Sequence, residues 1–248
     1  MDDRIQKGER IAKIIAHAGL CSRRDAERWI LDGRVSVNGK AIDSPALNIL
    51  PSDRVIVDGK PVSKENNEPR LFRYHKPAGL ITTHKDERGR ETVFDNLPEG
   101  LPRLISIGRL DLNTEGLLLL TNNGDLSRHL ELPTTGWIRR YRVRAHGFIE
   151  QSQLDHLQNG VTIEGVKYAP IDAKIDSSQG TNTWMSVALS EGKNREIRRV
   201  MEYLDLQVNR LIRLSYGPFQ LGNLGKESVE EIKLNVLRDQ IPEFFGKK

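Results

Sequence analysis

The spacing of apolar residues near the start of the chain predicts two short helices followed by two small β-hairpins. Apolar residues recur at the i, i+3, i+4, i+7 spacing of one helix face at Ile11, Ile14, Ile15 and Ala18. A second helix is expected to begin after Ser22 as its N-cap and to end at Gly33. Asn38-Gly39 and Asp58-Gly59 then each separate two short alternating runs, which is a strong signal for a two-residue hairpin turn. We therefore expect a small compact module over residues 8–62.

The pattern changes after a polar stretch at residues 63–70, which has no periodicity and contains a proline, and which we interpret as a linker. Strands are predicted for the segments "LISIGRLD", "LLLLT", "YRVRAHG" and "WMSVALS". The segment "NREIRRVMEYLDL" predicts a helix with Asn194 as its N-cap. Strands outnumber helices and do not alternate with them, so we expect an α+β domain over residues 71–238 and a tail at 239–248.

Composition narrows the possible classes of protein. The chain has 248 residues, of which 37% are hydrophobic, and a single cysteine, which excludes an internal disulfide framework. Its mean hydropathy is −0.51. No apolar run approaches the roughly 20 residues of a membrane span, and the first residues lack the apolar segment of a secretory signal. We therefore expect a cytoplasmic protein with no membrane association.

The basic residues suggest an anionic partner. The net charge is +4 and the sequence pI is about 9.2, values that suit nucleic acid but also many ordinary enzymes. On the two N-terminal helices, basic side chains gather at Lys13, Arg23, Arg24 and Arg28. A solvated helix face explains this cluster as well as a phosphate-binding face does.

The segment "WIRRYRVRAHG" carries a more informative arrangement. In a strand, Arg140, Arg142 and Arg144 point to one face and Tyr141 points to the other. One face is then suited to phosphates while Tyr141 turns toward a pocket. The alternative is that Tyr141 is an ordinary core residue and that the arginines lie on an ordinary solvent-exposed face.

Candidate chemistry centres on "GRLDLNTEGLLLLTNNGD", residues 108–125. Arg109 and Asp111 stand just ahead of the apolar run 117–120, where an unpaired charge is costly to desolvate. The chain has no phosphate-binding glycine loop, no nucleophile elbow and no His-x-x-x-His pair, so we expect no metal site, and a carboxylate is the best remaining candidate for a catalytic group. Farther on, Arg198 lies at the edge of the apolar stripe of its helix, where it either reaches inward or pairs with Glu202 on the surface.

Taken together, the ordered motifs resemble those of bacterial ribosomal RNA pseudouridine synthases. The resemblance covers residues 70 to about 235 and rests on "YHKPAGLITT", the 108–125 segment, "RRYRVR", "LSEGKNREIRRVMEYL" and "IRLSYGPF". Residues 8–62 resemble the alpha-L RNA-binding module of the ribosomal protein S-four family. The resemblance implies a mainly antiparallel mixed sheet with flanking helices, and the isomerisation of uridine to pseudouridine without a cofactor or metal.

The resemblance also implies roles for single residues. Asp111 matches the catalytic aspartate, which acts either as a nucleophile or as a base, and Arg198 matches the arginine that pairs with it. Tyr141 matches the tyrosine that lies against the uracil. Leu110 and Leu112 are then expected to anchor the segment by pointing away from Asp111.

The remaining implied roles concern RNA. Arg109 matches the residue expected to fill the place of the displaced base, and Lys76 is expected to support the site or the RNA. Further RNA contacts are expected from Lys13, Arg23, Arg24, Arg28, Arg140, Arg142, Lys193 and Arg195. The N-terminal module and the segment "LELPTTGWIRRY" favour large-subunit over small-subunit ribosomal RNA as the partner. The RNA is expected to be free or part of a subunit precursor, and the protein is expected to be a monomer. The alternative function is a non-catalytic RNA-binding factor for ribosome assembly.

Overall fold

The computed structural model describes residues 8–63 and 68–246. Within the chain, contacts group into two compact units, one comprising Met1–Pro69 with Asn122–Gly124 and the other Arg70–Thr121 with Asp125–Lys248. Four residues of the predicted linker, 64–67, and the last two residues of the predicted tail lie outside the described residues. Every helix in the described part of the chain is too short or too polar to cross a bilayer.

The N-terminal unit is built as its sequence pattern predicts. It contains the helices α1 (Ile11–His17) and α2 (Arg23–Leu31) and the strands β1 (Glu9–Arg10), β2 (Val35–Val37), β3 (Lys40–Ala41), β4 (Asn48–Ile49), β5 (Val55–Val57) and β6 (Lys60–Pro61). Ser22 caps α2 by accepting a hydrogen bond from the backbone of Asp25 at 3.1 Å. Asn38 and Gly39 both adopt positive φ in the turn between β2 and β3, which is the conformation that this hairpin turn requires. Both predicted helices and both predicted hairpins are confirmed.

The second unit is organised around one sheet of nine strands. Seven strands follow in the order β13-β14-β10-β15-β9-β7-β17, with β16 paired to β15 and β8 paired to β9. The strands are β7 (Leu71–Lys76), β8 (Ile105–Ile107), β9 (Glu115–Thr121), β10 (Arg139–His146), β13 (Ile171–Gln179), β14 (Asn182–Leu189), β15 (Gln207–Tyr216), β16 (Phe219–Gln220) and β17 (Val229–Ile232). Among the paired strands of the described residues, β9 and β15 alone run parallel. This α+β architecture, with its mainly antiparallel sheet, confirms the predicted fold class.

Helices and a small hairpin surround this sheet. The helices are α3 (Gly124–Glu131), α4 (Gln151–Asp155), α5 (Glu196–Tyr203), α6 (Leu234–Gln240) and α7 (Pro242–Phe245), and the hairpin is formed by β11 (Val161–Ile163) and β12 (Val166–Tyr168). Short 3₁₀ turns occupy Phe94–Asn96, Pro133–Thr135 and His156–Asn159.

The central strand β9 is covered on both faces. Leu117 and Leu119 pack in a cluster with α3 and α6, while Leu118 and Leu120 pack in a second cluster with Phe72 and Leu110. A strand buried on both faces has a continuous apolar sequence rather than an alternating one, which explains the run of four leucines.

Strands β10 and β14, which lie beyond β15 from the central strand β9, are covered on one face only. The buried face of β10 and β14 packs with Ile197 and Val200 of α5, and the opposite positions of β10 are exposed. Their alternating sequence follows directly from this one-sided burial.

The glycine at position 116 allows β9 and β15 to come together in the middle of the sheet. Its φ is +102°, and a Cβ atom there would lie 2.3 Å from the backbone oxygen of Arg213. No side chain fits such a distance, so the close parallel pairing depends on glycine.

Candidate active site

Loops and strand ends of the second unit enclose a cleft of about 260 Å³. Its lining comes from the segment that follows β8, from β10, from β15 and from the start of α5. The polar residues on its wall are Arg109, Asp111, Thr114, Glu131, Arg139, Tyr141, Lys193, Arg195, Glu196, Arg198, Arg213 and Tyr216. The structure thus brings the predicted Asp111, Tyr141 and Arg198 to one cavity, together with Arg109, Lys193 and Arg195.

Asp111 lies on a loop and not on the strand that the sequence predicts. The strand of the "LISIGRLD" segment ends at Ile107, and residues 108–111 are irregular. The loop is fixed by Thr82, whose hydroxyl donates to the carbonyl of Leu110 at 2.9 Å and accepts from the amide of Leu110 at 3.3 Å. A turn follows, in which the amide of Thr114 donates to the carbonyl of Asp111 at 3.0 Å. Asp111 is half-buried at the wall of the cleft.

The expected leucine anchors on either side of Asp111 are only half correct. Leu110 is buried in the cluster that contains Leu118 and Leu120. Leu112 is 36% exposed, so the expectation that it anchors the segment is wrong. Because the segment turns instead of continuing as a strand, the two leucines do not share an environment.

Lys76 lies beneath this loop and holds it through backbone carbonyls. The side chain is fully buried. Its Nζ donates to the carbonyl oxygens of Pro77 at 2.9 Å, Leu112 at 3.3 Å and Thr114 at 3.0 Å. Burial lowers the pKa of this amine to about 8, against the opposing effect of the negative charges on Asp111 and Glu115. Lys76 therefore supports the loop that carries Asp111 and does not line the cleft.

Tyr141 points into the cleft from β10. Its neighbours along the strand, Arg140 and Arg142, are exposed on the other face, which confirms the predicted alternation. Tyr141 is 9% exposed and packs with the apolar residues that surround α5. It is therefore both a core residue and part of the cleft wall, so the two interpretations of its pattern are compatible.

Arg198 reaches inward, but its partners differ from those expected. Its two terminal nitrogens donate to the carbonyl oxygens of Asn113 at 2.9 Å and Val208 at 3.1 Å. Among the described residues it forms no ion pair with Asp111 or with Glu202, so both expected pairings are wrong for this structure. Burial lowers the pKa of its guanidinium, as does the charge of Arg195, while the charge of Asp111 raises it. The guanidinium instead connects the loop after Asp111 to the start of β15.

The helix that carries Arg198 begins one residue later than predicted. Arg195, at φ +51°, is the N-cap of α5 in place of Asn194, and its side chain makes no capping hydrogen bond. The carboxylate of Glu196 instead reaches back and accepts from the backbone amide of Lys193 at 2.8 Å, which ties the preceding loop to the first turn of the helix. Burial raises the pKa of Glu196.

The sequence patterns did not identify three of the residues that line the cleft. The Tyr216 ring lies between two guanidinium groups, with that of Arg139 at 4.6 Å from its centroid and that of Arg213 at 5.3 Å. Arg213 is buried and donates from Nε to the carbonyl of Leu117 at 2.7 Å. The available signal was the alternation of "IRLSYGPF", since Arg213 and Tyr141 occupy paired positions on adjacent strands.

The basic residues at the rim of the cleft are more exposed. Arg109 and Arg195 are exposed, and both also line a neighbouring groove that includes Lys85 and Arg88. Lys193 is held by Glu191 at 2.5 Å. These positions leave Arg109 and Arg195 accessible from solvent.

In the N-terminal unit, the four predicted RNA-binding residues differ in their partners. Arg23 and Arg24 are exposed at the start of α2. Arg28 pairs with Asp25, and Lys13 pairs with Glu9 at 2.7 Å. No group of three or more potential metal ligands from histidine, cysteine, aspartate or glutamate occurs among the residues that the structure describes.

Comparison with protein families agrees with this architecture. The family model for RNA pseudouridylate synthase matches residues 70–203, and the model for the S4 domain matches residues 9–55. A crystal structure of a pseudouridylate synthase covers 94% of this chain and 99% of its own chain with a TM-score of 0.67. Its sequence is 23% identical, so this likeness supports the fold alone.

Relatives match over most of the chain. An uncharacterized RNA pseudouridine synthase of Rickettsia felis is 51% identical over 229 residues, which cover 92% of this chain and 99% of the relative. The ribosomal large subunit pseudouridine synthase B of Salmonella typhimurium is 42% identical over 218 residues, which cover 86% of this chain and 75% of the relative. The chain therefore belongs to the RNA pseudouridine synthases, a family of isomerases, and carries an N-terminal S4 domain that binds RNA.

Proposed function

We propose that this protein isomerises a specific uridine in ribosomal RNA, and that its substrate is 23S rather than 16S ribosomal RNA. The similarity to a large-subunit enzyme of Salmonella typhimurium supports the choice of subunit. The substrate is the free RNA or a precursor of the ribosomal subunit. We propose further that the enzyme is a monomer and that it acts in the cytoplasm.

One observation carries the proposal: Asp111, Tyr141 and Arg198 line a single cleft. A carboxylate in a cleft repels the phosphates of RNA, so a protein that only binds RNA gains nothing from it. An enzyme, in contrast, requires an ionised carboxylate as its nucleophile or base. The cleft is therefore better explained by chemistry than by binding.

The reaction exchanges one bond for another within the same nucleotide. The N1–C1′ glycosidic bond of uridine breaks, the uracil turns, and a C5–C1′ bond forms, while the proton on C5 is lost and N1 gains one. Because the reacting atoms are shielded in stacked RNA, the nucleotide must first leave the stack, at a cost of a few kcal/mol. Arg109, exposed at the rim of the cleft, is positioned to stack in the vacated place.

Each cleft residue then has a proposed role. Asp111 acts on the nucleotide as nucleophile or base. Tyr141 lies against the uracil ring and assists the loss of the C5 proton. Arg198 and Lys76 fix the loop of Asp111 through the carbonyls of Asn113, Leu112 and Thr114.

Tritium release tests this proposal, because the C5 hydrogen is lost only when the new bond forms. Transcripts of 23S and 16S ribosomal RNA carrying uridine tritiated at C5 would be supplied separately to the wild type, to Asp111→Asn and to the control Asp239→Asn. Asp239 is exposed on α6. We expect release from 23S RNA by the wild type and the control, and a loss of at least about 10³-fold in Asp111→Asn.

Other results would point elsewhere. Release from 16S RNA alone would contradict the choice of subunit. Equal release by Asp111→Asn would contradict its catalytic role. Tight binding without release from either RNA or from precursor particles would favour an assembly factor.

A further inference from the structure

The exposed face of β10 carries arginines for which the cleft has no use. Arg140, Arg142 and Arg144, termed here the strand arginines, alternate with the buried Tyr141 and Val143. Because successive residues of a strand point to opposite faces, the strand arginines lie on the side of the sheet away from Tyr141. A nucleotide held in the cleft therefore does not contact them.

The charges of the strand arginines are also left unneutralised by the residues that the structure describes. No hydrogen bond or ion pair joins their side chains to any residue of 8–63 or 68–246, although the guanidinium of Arg142 lies 4.6 Å from the centroid of the Trp184 ring. Some exposed arginines elsewhere do pair with acids, as Arg34 pairs with Asp58 in the N-terminal unit. Three adjacent unneutralised guanidinium groups repel one another, so a stable arrangement of this kind favours an anionic ligand.

The neighbouring strands extend the positive surface and set its limits. Lys174 on β13 is exposed and lies in the same cross-strand row as Arg142, with Ser186 of β14 between them. Acidic residues of this face lie on the edge strand β13, where Asp172 shares the cross-strand row of Arg140 and Asp176 accepts from the Ser186 hydroxyl at 2.9 Å. On the other side of β10, Glu115 of β9 is paired with Arg210 at 2.8 Å. The centre of the surface, on β10, is thus its most positive part.

We propose that this surface is a second RNA-binding site of the enzyme, and that it holds the phosphate backbone of a segment other than the one that enters the cleft. This inference rests on the proposed action on RNA. The strand arginines span about 13 Å, at about 3.3 Å per residue. One strand of a nucleic-acid double helix presents a phosphate about every 3.4 Å along the helix axis, so several phosphates fit within this span. The partly exposed Trp184 ring, already stacked by a guanidinium, suits RNA better than an acidic protein, because bases stack on such platforms.

The salt dependence of binding measures this site directly. The variant Arg140→Gln/Arg144→Gln removes two charges and leaves the Arg142–Trp184 stack in place. The control Arg128→Gln/Lys233→Gln removes two charges from exposed residues on α3 and at the start of α6. The probes are a 23S ribosomal RNA transcript and a uridine pentanucleotide, which is too short to occupy both faces of the sheet.

For the transcript, we expect the strand-arginine variant to bind at least about tenfold more weakly than the wild type and to lower the slope of log K against log salt by about 1 to 2. The control is expected to change the slope by less than half as much. Affinity for the pentanucleotide should be unchanged in both variants.

Two results would overturn the proposal. Equal slopes for the strand-arginine variant and its control would show that the surface does not bind RNA, and an acidic protein would then be the partner to seek. A matching loss with the pentanucleotide would show that the substitutions disturb the cleft. Failure of the wild type to release tritium would contradict the proposed reaction but would leave this binding comparison intact.

Discussion

Two groups of cations in the catalytic unit differ in what accepts their hydrogen bonds. The first, termed here the carbonyl-bound cations, consists of Lys76, Arg198 and Arg213, which are buried or half-buried and donate to backbone carbonyl oxygens. The second consists of the strand arginines, which are exposed and have no such acceptor. A buried cation that donates to backbone carbonyls holds the chain in place, whereas an exposed cation without such an acceptor is available to a ligand. Burial and partner, rather than residue type, therefore separate the two functions.

Among the substitutions that test this difference, the largest loss of stability is expected at Lys76. In Lys76→Met, an apolar side chain of similar length leaves the carbonyls of Pro77, Leu112 and Thr114 without their donor. Unpaired buried polar groups cost about 1–3 kcal/mol each, so we expect unfolding in urea to show a loss of about 3 kcal/mol. The control Lys233→Met, at an exposed position, should stay within about 0.5 kcal/mol of the wild type. A loss below 1 kcal/mol in Lys76→Met would show that Lys76 does not hold the chain and is instead available to a ligand.

The difference in the free energy of unfolding between the wild type and Lys76→Met should also depend on pH. The pKa of Lys76 is about 8 in the folded protein against 10.5 for an ordinary lysine. Between these values the unfolded chain binds more protons, so the free energy of unfolding rises with pH. Relative to Lys76→Met, the wild type should therefore gain about 2 kcal/mol between pH 8 and 10 and show no change below about pH 7. A flat difference across this range would contradict the burial of a charged amine.

A smaller effect is expected at Arg198. Lysine keeps the charge but cannot span the carbonyls of Asn113 and Val208 as a guanidinium does. In Arg198→Lys we expect single-turnover tritium release to slow by about tenfold or more, while the Kd for 23S ribosomal RNA stays unchanged. The neighbouring Arg199→Lys, at an exposed position, is the matched control. Weaker RNA binding with unchanged turnover would show that Arg198 acts on the ligand and does not position the loop.

The smallest effect is expected from a strand arginine. Arg142→Gln removes the stack on Trp184, and an exposed cation–π contact contributes about 0.5–1 kcal/mol. The urea midpoint should therefore move only slightly. A loss above 2 kcal/mol would mean that Arg142 belongs to the framework of the fold.

The sequence predicted those features that depend on neighbouring residues. Ser22 caps α2 and Asn38-Gly39 forms a hairpin because their chemistry acts over two or three positions. The opposite placement of Tyr141 and the strand arginines followed from the period of a strand. Asp111, Tyr141 and Arg198 were located through family motifs, and the structure brings them to one cleft.

Such patterns could not predict the hydrogen-bond partners of the carbonyl-bound cations. Lys76 donates to carbonyls 36 and 38 residues away, and Arg198 to one 85 residues away. Every residue has a carbonyl, so the sequence carries no mark of which one accepts. The expected Arg198–Asp111 pair was wrong for this reason, since the terminal nitrogens of the guanidinium donate instead to the carbonyls of Asn113 and Val208.

We expect one face of the sheet to perform the reaction and the other to hold RNA, and a single paired measurement tests this division. Rates of tritium release at saturating 23S ribosomal RNA and Kd values would be determined together for Asp111→Asn and Arg140→Gln/Arg144→Gln. We expect the first variant to lose turnover with unchanged Kd, and the second to keep its turnover with a Kd raised at least about tenfold. Loss of the same parameter in both variants would contradict the division of labour between the two faces.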